Sequence, residues 1–394
     1  MRSCFADMHV HIGGDEAGHP VKITASRSLT FANIAEEAVS RKGLDMVGIV
    51  DCECPNVQED IFHMLESGDM RELDAGGILY KGRMTVILGA EVETSEADGR
   101  GAHYVSYFPD MRSIRDYSSA ISKYITNVNL STQRSRLKAS EVVELTHKCG
   151  GITVVAHAFT PFKSLYGACA DRISELIDRS SGLDFSGVEL GLSSDTFLAD
   201  RISELEGYTF LSNSDAHSLS KMGREYNRLC VEEPSYDEFR KCLLRQDGRR
   251  VDANYGLDPR LGKYHHTFCS KCDHIFSNYL HQDSCPFCGA RGSLVKGVFD
   301  RIEEIADRKE PLHPAHRPAY HHQVPLEFVP RVGRGTLNRL LSAFGTEMNV
   351  LHLASLDDLK AVVKDEVAEN IVAAREGRLG IASGGGGIYG KVTQ

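Results

Sequence analysis

Along roughly the first two thirds of the chain, short apolar runs alternate with longer stretches in which apolar residues return every three or four positions. The runs 5–10, 46–50, 84–88, 103–108, 152–156, 187–190 and 210–214 each predict a buried strand. Between them the helical spacing predicts 31–42 behind a Thr30 cap, 140–148 closed by Gly150 and Gly151, and 195–206 closed by Gly207. A fourth helix, 236–245, follows a Ser235 cap. Alternation of this kind builds an α/β fold. Seven units suggest a (β/α)7 barrel, with an open doubly wound sheet as the alternative.

At 394 residues the chain has room for a full-sized core and one or two small domains. No stretch approaches the ~20 apolar residues of a membrane span, and no charged-then-apolar leader opens the chain, which predicts a cytoplasmic protein with no membrane partner. Eleven cysteines, four of them in two CxxC pairs, suit metal-bound thiolates in a reducing compartment better than a disulfide framework. A net charge of −10 argues against a protein that simply coats nucleic acid. The charge is uneven, however: residues 112–138 hold six basic side chains against one acid, and 240–301 eleven against six. Such stretches can hold a polyanion locally, although solvated surface faces produce the same runs.

Candidate chemistry gathers at strand ends. In Asp7-Met8-His9-Val10-His11 the odd positions share one face of a strand, so two imidazoles and a carboxylate stand together. Asp51 and Cys52 follow the second predicted strand, Glu91 the third, His157 the fifth, and Asp215 with His217 the seventh. A parallel barrel brings these positions to one rim, where such folds place their chemistry. His103 opens its strand and is the exception.

The ordered set Asp7-Met8-His9-Val10-His11, Gly89-Ala90-Glu91, Val155-Ala156-His157 and Asn213-Ser214-Asp215-Ala216-His217 resembles the motifs of the polymerase-and-histidinol-phosphatase (PHP) metallohydrolases. The resemblance covers about the first 255 residues. It implies a distorted seven-stranded PHP barrel with two or three divalent metals (zinc, manganese or iron, with magnesium also compatible). The ligand role then falls to His9, His11, Glu91, His103, His157, Asp215 and His217, with Glu91 as bridging carboxylate and Asp215, Glu91 and His157 as the catalytic set. Two departures leave the metal count open. Asp51-Cys52 stands where the family has Asp-His, and the loop after the first motif offers Asp15 or His19 as a further ligand.

Cys269 and Cys272, followed by Cys285 and Cys288, have the spacing of a four-thiolate structural zinc site. Farther on, Arg331, Gly333, Arg334 and Gly335 precede an amphipathic stretch, 337–344. This resembles a helix-hairpin-helix element that offers backbone N–H groups to a DNA phosphate. The predicted division is a barrel at 1–255, a zinc module at 256–298 and a small helical DNA-binding domain at 299–394.

That succession resembles the endonuclease Q family of PHP-domain DNA repair nucleases over essentially the whole chain. The resemblance implies metal-dependent incision of DNA on the 5′ side of uracil, hypoxanthine, xanthine and abasic sites, leaving 3′-hydroxyl and 5′-phosphate ends, with damaged DNA as partner. A lesion pocket is expected from Gly13 and Gly14 and from Phe159, Phe162, Lys163, Tyr166 and Gly167. The alternatives are a histidinol-phosphatase-like small-molecule phosphoesterase and a non-catalytic DNA-binding protein. No segment of the sequence identifies a protein partner.

Overall fold

The computed structural model describes residues 1–276 and 284–393. Among them one large mixed sheet organises the chain. Its strands are β1 (Arg2–Val10), β2 (Met46–Ile49), β3 (Met70–Glu72), β4 (Ile78–Tyr80), β5 (Met84–Glu93), β6 (His103–Phe108), β7 (Ile152–Val155), β8 (Gly187–Glu189), β9 (Phe210–Leu211), β10 (Tyr226–Val231) and β11 (Arg250–Gly256). Two short strands, β12 (Phe268–Cys269) and β13 (Leu294–Val295), pair apart from it, and β14 (Ala319–His322) returns to its edge.

All seven predicted strands form. In the order β1-β2-β5-β6-β7-β8-β9 the sheet curls until the chain after β9 meets β1 again through a Val10–Ala216 bridge. The uniform parallel direction expected from the pattern does not hold, because β6 runs antiparallel to both β5 and β7. The nine residues 94–102 between β5 and β6 are too few for the helical crossover that parallel neighbours require. Met8, Met46, Ile87, Tyr107, Val154 and Leu211, one from each of six strands, are fully buried in one cluster, and each large apolar side chain stabilises the fold by roughly 1.5–3 kcal/mol.

The helices begin where their caps predict. Thr30 accepts from the backbone N–H of Asn33 ahead of Phe31–Glu37, and Ser235 accepts from Glu238 ahead of Tyr236–Leu244. The predicted helix 195–206 is interrupted: an α-turn at Thr196–Ala199 gives way to a 3-10 turn at Ser203–Gly207. The chain following helix Val298–Ile305 takes its backbone groups instead, with Arg308 N–H donating to Arg201 O and Ser203 N–H to Asp307.

The C-terminal residues are built onto the curled sheet. β14 extends it beyond β11, which makes His321 and His322 strand residues. Helices Arg334–Phe344, Glu347–His352, Leu356–Val362 and Asp365–Arg375 share an apolar cluster with β1, β2 and β5. Lys42 and Glu347 make a buried ion pair of 2.8 Å across that contact, and His352 stacks on Phe5 with ring centroids 4.5 Å apart. No helix among the described residues is long and apolar enough to cross a membrane.

Candidate metal centre

Each odd-numbered side chain at the end of β1 is tied to a different strand end. Asp7 accepts backbone N–H bonds from Ser214 (3.0 Å) and Gly223 (2.8 Å). His9 Nδ1 lies 2.9 Å from Glu189 Oε2, and His11 Nδ1 lies 2.9 Å from Asp51 Oδ2. With a carboxylate accepting at Nδ1, both imidazoles turn Nε2 inward as the ligand atom. Asp51, His157 and Asp215 follow β2, β7 and β9 in the left-handed region, at φ 75°, 27° and 46°. That conformation is costly for a side chain with Cβ, and in folded proteins it concentrates at functional sites.

Two trios of ligand atoms result, each confined within 4.8 Å: His9, His11 and Asp215, and Glu91, His103 and His157. Glu91 joins them. Its Oε1 lies 3.1 Å from His103 Nδ1 and 3.3 Å from His157 Nε2, while its Oε2 lies 3.4 Å from His11 Nε2. His103 reaches the rim because β6 is reversed, so that the start of this strand lies beside the ends of its neighbours. His217 completes the edge, its ring 4.8 Å from that of His11.

The electrostatics call for positive charge. Burial disfavours protonation of His9, yet Glu189, Asp215 and Glu91 outweigh it and raise its pKa to about 10. Burial would raise the Glu91 carboxyl, but His103, Lys22 and His11 hold it well below the usual range. His217 is pushed down to about 4 by burial and by His11. Three buried carboxylates (Asp51, Glu91 and Glu189) and the partly exposed Asp215 among imidazoles are balanced either by protons on the rings or by divalent cations, and the inward Nε2 atoms fit cations.

Three candidate ligands stand elsewhere. Asp15 and His19 pair with each other at 2.8 Å, with Asn56 also donating to Asp15, and His19 is largely exposed. Cys52 is fully buried and donates its S–H to Ile49 O, because the left-handed turn at Asp51 directs the following side chain into the core. Asp51 stands behind His11 as the carboxylate that orients it.

Above the two trios lies a cleft of about 810 Å³. Phe162, half exposed, and Lys163 line it. The other expected lesion-pocket residues do not. Phe159 and Tyr166 are buried against each other in the core, rings 5.1 Å apart, with the Tyr166 hydroxyl on Glu204. Gly13 and Gly167 are sites of close backbone approach, where a Cβ would come within 1.9 Å of Ser26 O and 1.8 Å of Thr160 O. Gly14 is buried at the same turn, 3.0 Å from His19 O by the same measure. Sequence reasoning missed Glu189, Lys22, Lys221, Arg224, Lys263, Tyr264 and Tyr389, all lining the cleft. Only Glu189, at a predicted strand end, carried a signal.

The four cysteine sulfurs also lie within 4.8 Å of one another. The Cys269–Cys288 and Cys272–Cys285 separations are both 3.8 Å, the edge of a tetrahedron with bonds of about 2.3 Å, so all four positions around an ion are filled. Gly333 caps helix Arg334–Phe344 without a side-chain bond, and open space surrounds Gly333 and Gly335. Arg331 pairs with Glu366 beside them.

No family model matches the sequence. The uncharacterised protein YqxK of Bacillus subtilis is 43% identical over the full length of both chains. An uncharacterised protein of Methanocaldococcus jannaschii is 36% identical over 73% of this chain and 36% of its own. The crystal structure of the lesion-specific endonuclease PfuEndoQ from Pyrococcus furiosus superposes with a TM-score of 0.83 at 33% identity, covering 100% of this chain and 95% of that one. A crystal structure of endonuclease Q in complex with a 27-mer duplex substrate with an abasic lesion at the active site gives the same score and identity, covering 96% of that chain.

Proposed function

The chain belongs to the endonuclease Q family and is a DNA repair endonuclease, and from that premise we propose that it incises the phosphodiester bond 5′ of deaminated bases (uracil, hypoxanthine and xanthine) and of abasic sites. The observation that carries this reading is the cleft itself. Two ligand trios joined by Glu91 form its floor, and Lys22, Lys163, Lys221, Arg224 and Lys263 line it. Five cations around a carboxylate-rich floor suit a polyanion whose phosphate is drawn to a cation-binding centre.

The curled sheet is read as the distorted seven-stranded PHP barrel. His9, His11, Asp215, Glu91, His103, His157 and His217 would hold two or three divalent cations of the zinc, manganese, iron or magnesium class, and Cys269, Cys272, Cys285 and Cys288 a structural zinc. Bound cations would supply Lewis acidity toward the phosphate and its attacking and leaving oxygens. Asp215, with 28% of its side chain exposed, would orient the attacking water and accept its proton. Water adds to phosphorus, the bond to O3′ breaks, O3′ takes up a proton from solvent, and the products are a 3′-hydroxyl and a 5′-phosphate. Lys22 faces the cleft and is the cation that meets the scissile phosphate. Unstacking of the damaged nucleotide, which costs least at a mispaired or missing base, delivers that phosphate to the floor. Arg331, Arg334 and the backbone N–H groups in the first turn of helix Arg334–Phe344 would hold the backbone of the duplex farther out.

The test is a nicking assay with and without divalent metal on uracil, hypoxanthine, xanthine, abasic and undamaged duplexes, repeated with Asp215→Asn. Metal-dependent nicking 5′ of lesions, lost in Asp215→Asn while DNA binding persists, supports the reading. Hydrolysis of free phosphate monoesters with DNA left intact overturns it in favour of a small-molecule phosphoesterase. DNA binding with no cleavage under any metal overturns it in favour of a binding protein.

A further inference from the structure

The glycine-rich segment near the C-terminus reads as a flexible tail by composition, yet it is clipped to the polypeptide that leads from the sheet to the cysteine module. Gly384 N–H donates to Arg260 O (2.7 Å), Gly387 N–H to Lys263 O (3.1 Å) and Gly390 N–H to Leu261 O (2.9 Å). The glycines permit close packing: a Cβ on Gly384 would come within 2.4 Å of Gly390 N, and one on Gly390 within 2.5 Å of Ala382 O. Strands Gly380–Ala382 and Lys391–Thr393 pair on either side, so the segment is a hairpin with a fixed seat.

Its seat puts one aromatic ring into the cleft. Tyr389 is half-buried, and its hydroxyl accepts from Arg224 Nη1 at 3.0 Å. Arg224 Nε donates to Ser214 O at 2.9 Å, which links the tail to the loop that carries Asp215. Lys263 Nζ stands 5.1 Å from the centroid of Tyr264 and 5.8 Å from that of Tyr389, and Phe162 packs edge-on against Tyr264. Three aromatic side chains with cations between them therefore face a floor built for phosphate chemistry. A planar ring offered beside cations binds a nucleobase through its face while the charges hold the attached phosphates.

Resting on the endonuclease reading, we infer that the C-terminal hairpin completes the substrate site, and that Tyr389 is a stacking residue for the nucleobase of the damaged nucleotide. An abasic site has no base to stack, so the two substrate types separate this role from general support of the fold.

The experiment compares full-length wild type, Tyr389→Phe and Tyr389→Ala by kcat/KM on uracil and abasic duplexes. Loss of one stacked base contact corresponds to about tenfold. The uracil-to-abasic ratio is expected to fall about tenfold in Tyr389→Ala and to stay near wild type in Tyr389→Phe, which keeps the ring and gives up only the hydroxyl. An unchanged ratio in Tyr389→Ala overturns the assignment, whether both activities hold or both fall together. A fall in Tyr389→Phe as large as in Tyr389→Ala overturns it as well, because the hydroxyl contact to Arg224 would then be what matters. Wild type that incises only abasic DNA removes the base from the site and the inference with it. Wild type that nicks no DNA at all is the separate failure of the endonuclease reading.

Discussion

Lys22 Nζ lies 3.0 Å from Glu91 Oε2, so the carboxylate that joins the two ligand trios is paired with a cation from the loop after β1. Burial opposes the charge of Lys22, but Glu91, Asp51 and Asp215 outweigh it and raise its pKa above the ordinary value. On the proposed function, this cation at the cleft floor would meet the phosphate as well as Glu91. Lys22→Met is expected to lower kcat/KM on abasic DNA by roughly tenfold to a hundredfold, the worth of one charged hydrogen bond, while metal content stays at or above the wild-type level. Metal analysis of the purified variant decides between roles: loss of bound metal would make Lys22 a support for the ligands and not a contact for the substrate.

Glu189 touches the candidate centre through His9, and also accepts from Asn213 Nδ2 at 3.0 Å, so one carboxylate fixes both an imidazole of the first trio and the turn before Asp215. Glu189→Gln removes the charge that sets the His9 tautomer. Metal affinity, measured by competition with a chelator, should drop about 10–100-fold, and activity should recover when excess metal is added. Activity that stays low at saturating metal would mean that Glu189 takes a direct part in the reaction.

The strand ends were legible in the sequence because two constraints coincide there: period-two burial marks the strand, and a charged residue directly after it has no place in the core. That logic finds His157 and Asp215, whereas Glu91 and Glu189 lie within β5 and β8 as buried carboxylates in mostly apolar strands. It left His103 out of register because strand direction is set by the length of the 94–102 connection, not by the strand's own pattern. It placed Phe159 and Tyr166 in a pocket because an aromatic residue beside a rim motif looks the same whether it turns toward substrate or toward the core. Lys22 and Tyr389 lie in segments without periodicity, and only the folded chain brings them to the cleft.

The cysteine module has almost no apolar core of its own: Cys269, Phe276 and Cys285 are its buried members among the described residues. A unit this small would depend on an ion held by the four thiolates, so metal removal should be felt as local unfolding. Cys285→Ser is expected to reduce zinc content by one ion per chain and to speed hydrogen exchange at residues 264–276 and 284–298, with the large sheet unaffected. Because Lys263 and Tyr264 line the cleft just ahead of the first of the four cysteines, DNA affinity should fall with it. Unchanged exchange in the variant would show that packing alone holds the module.

Glu225 is a buried carboxyl away from the ligand trios. Its Oε1 accepts the Leu257 N–H at 2.7 Å, and its Oε2 has no hydrogen-bond partner among the described residues. Burial, reinforced by Glu189 and Asp7, raises its pKa from 4.5 to about 8. The folded state therefore keeps a proton that the unfolded chain releases above about pH 4.5, and stability falls as pH rises. The stabilisation is fully present below pH 4.5, declines between 4.5 and 8, and is gone above 8. Glu225→Gln keeps an acceptor for Leu257 and cannot ionise, so its stability should be nearly flat over that window. Measured by denaturant unfolding of the metal-loaded protein, wild type and variant should be close at pH 5, and the variant should gain on the order of a few kcal/mol relative to wild type by pH 8. Parallel curves for the two proteins across the window would mean that Glu225 ionises in the folded state at its ordinary pKa, with solvent or a cation reaching Oε2.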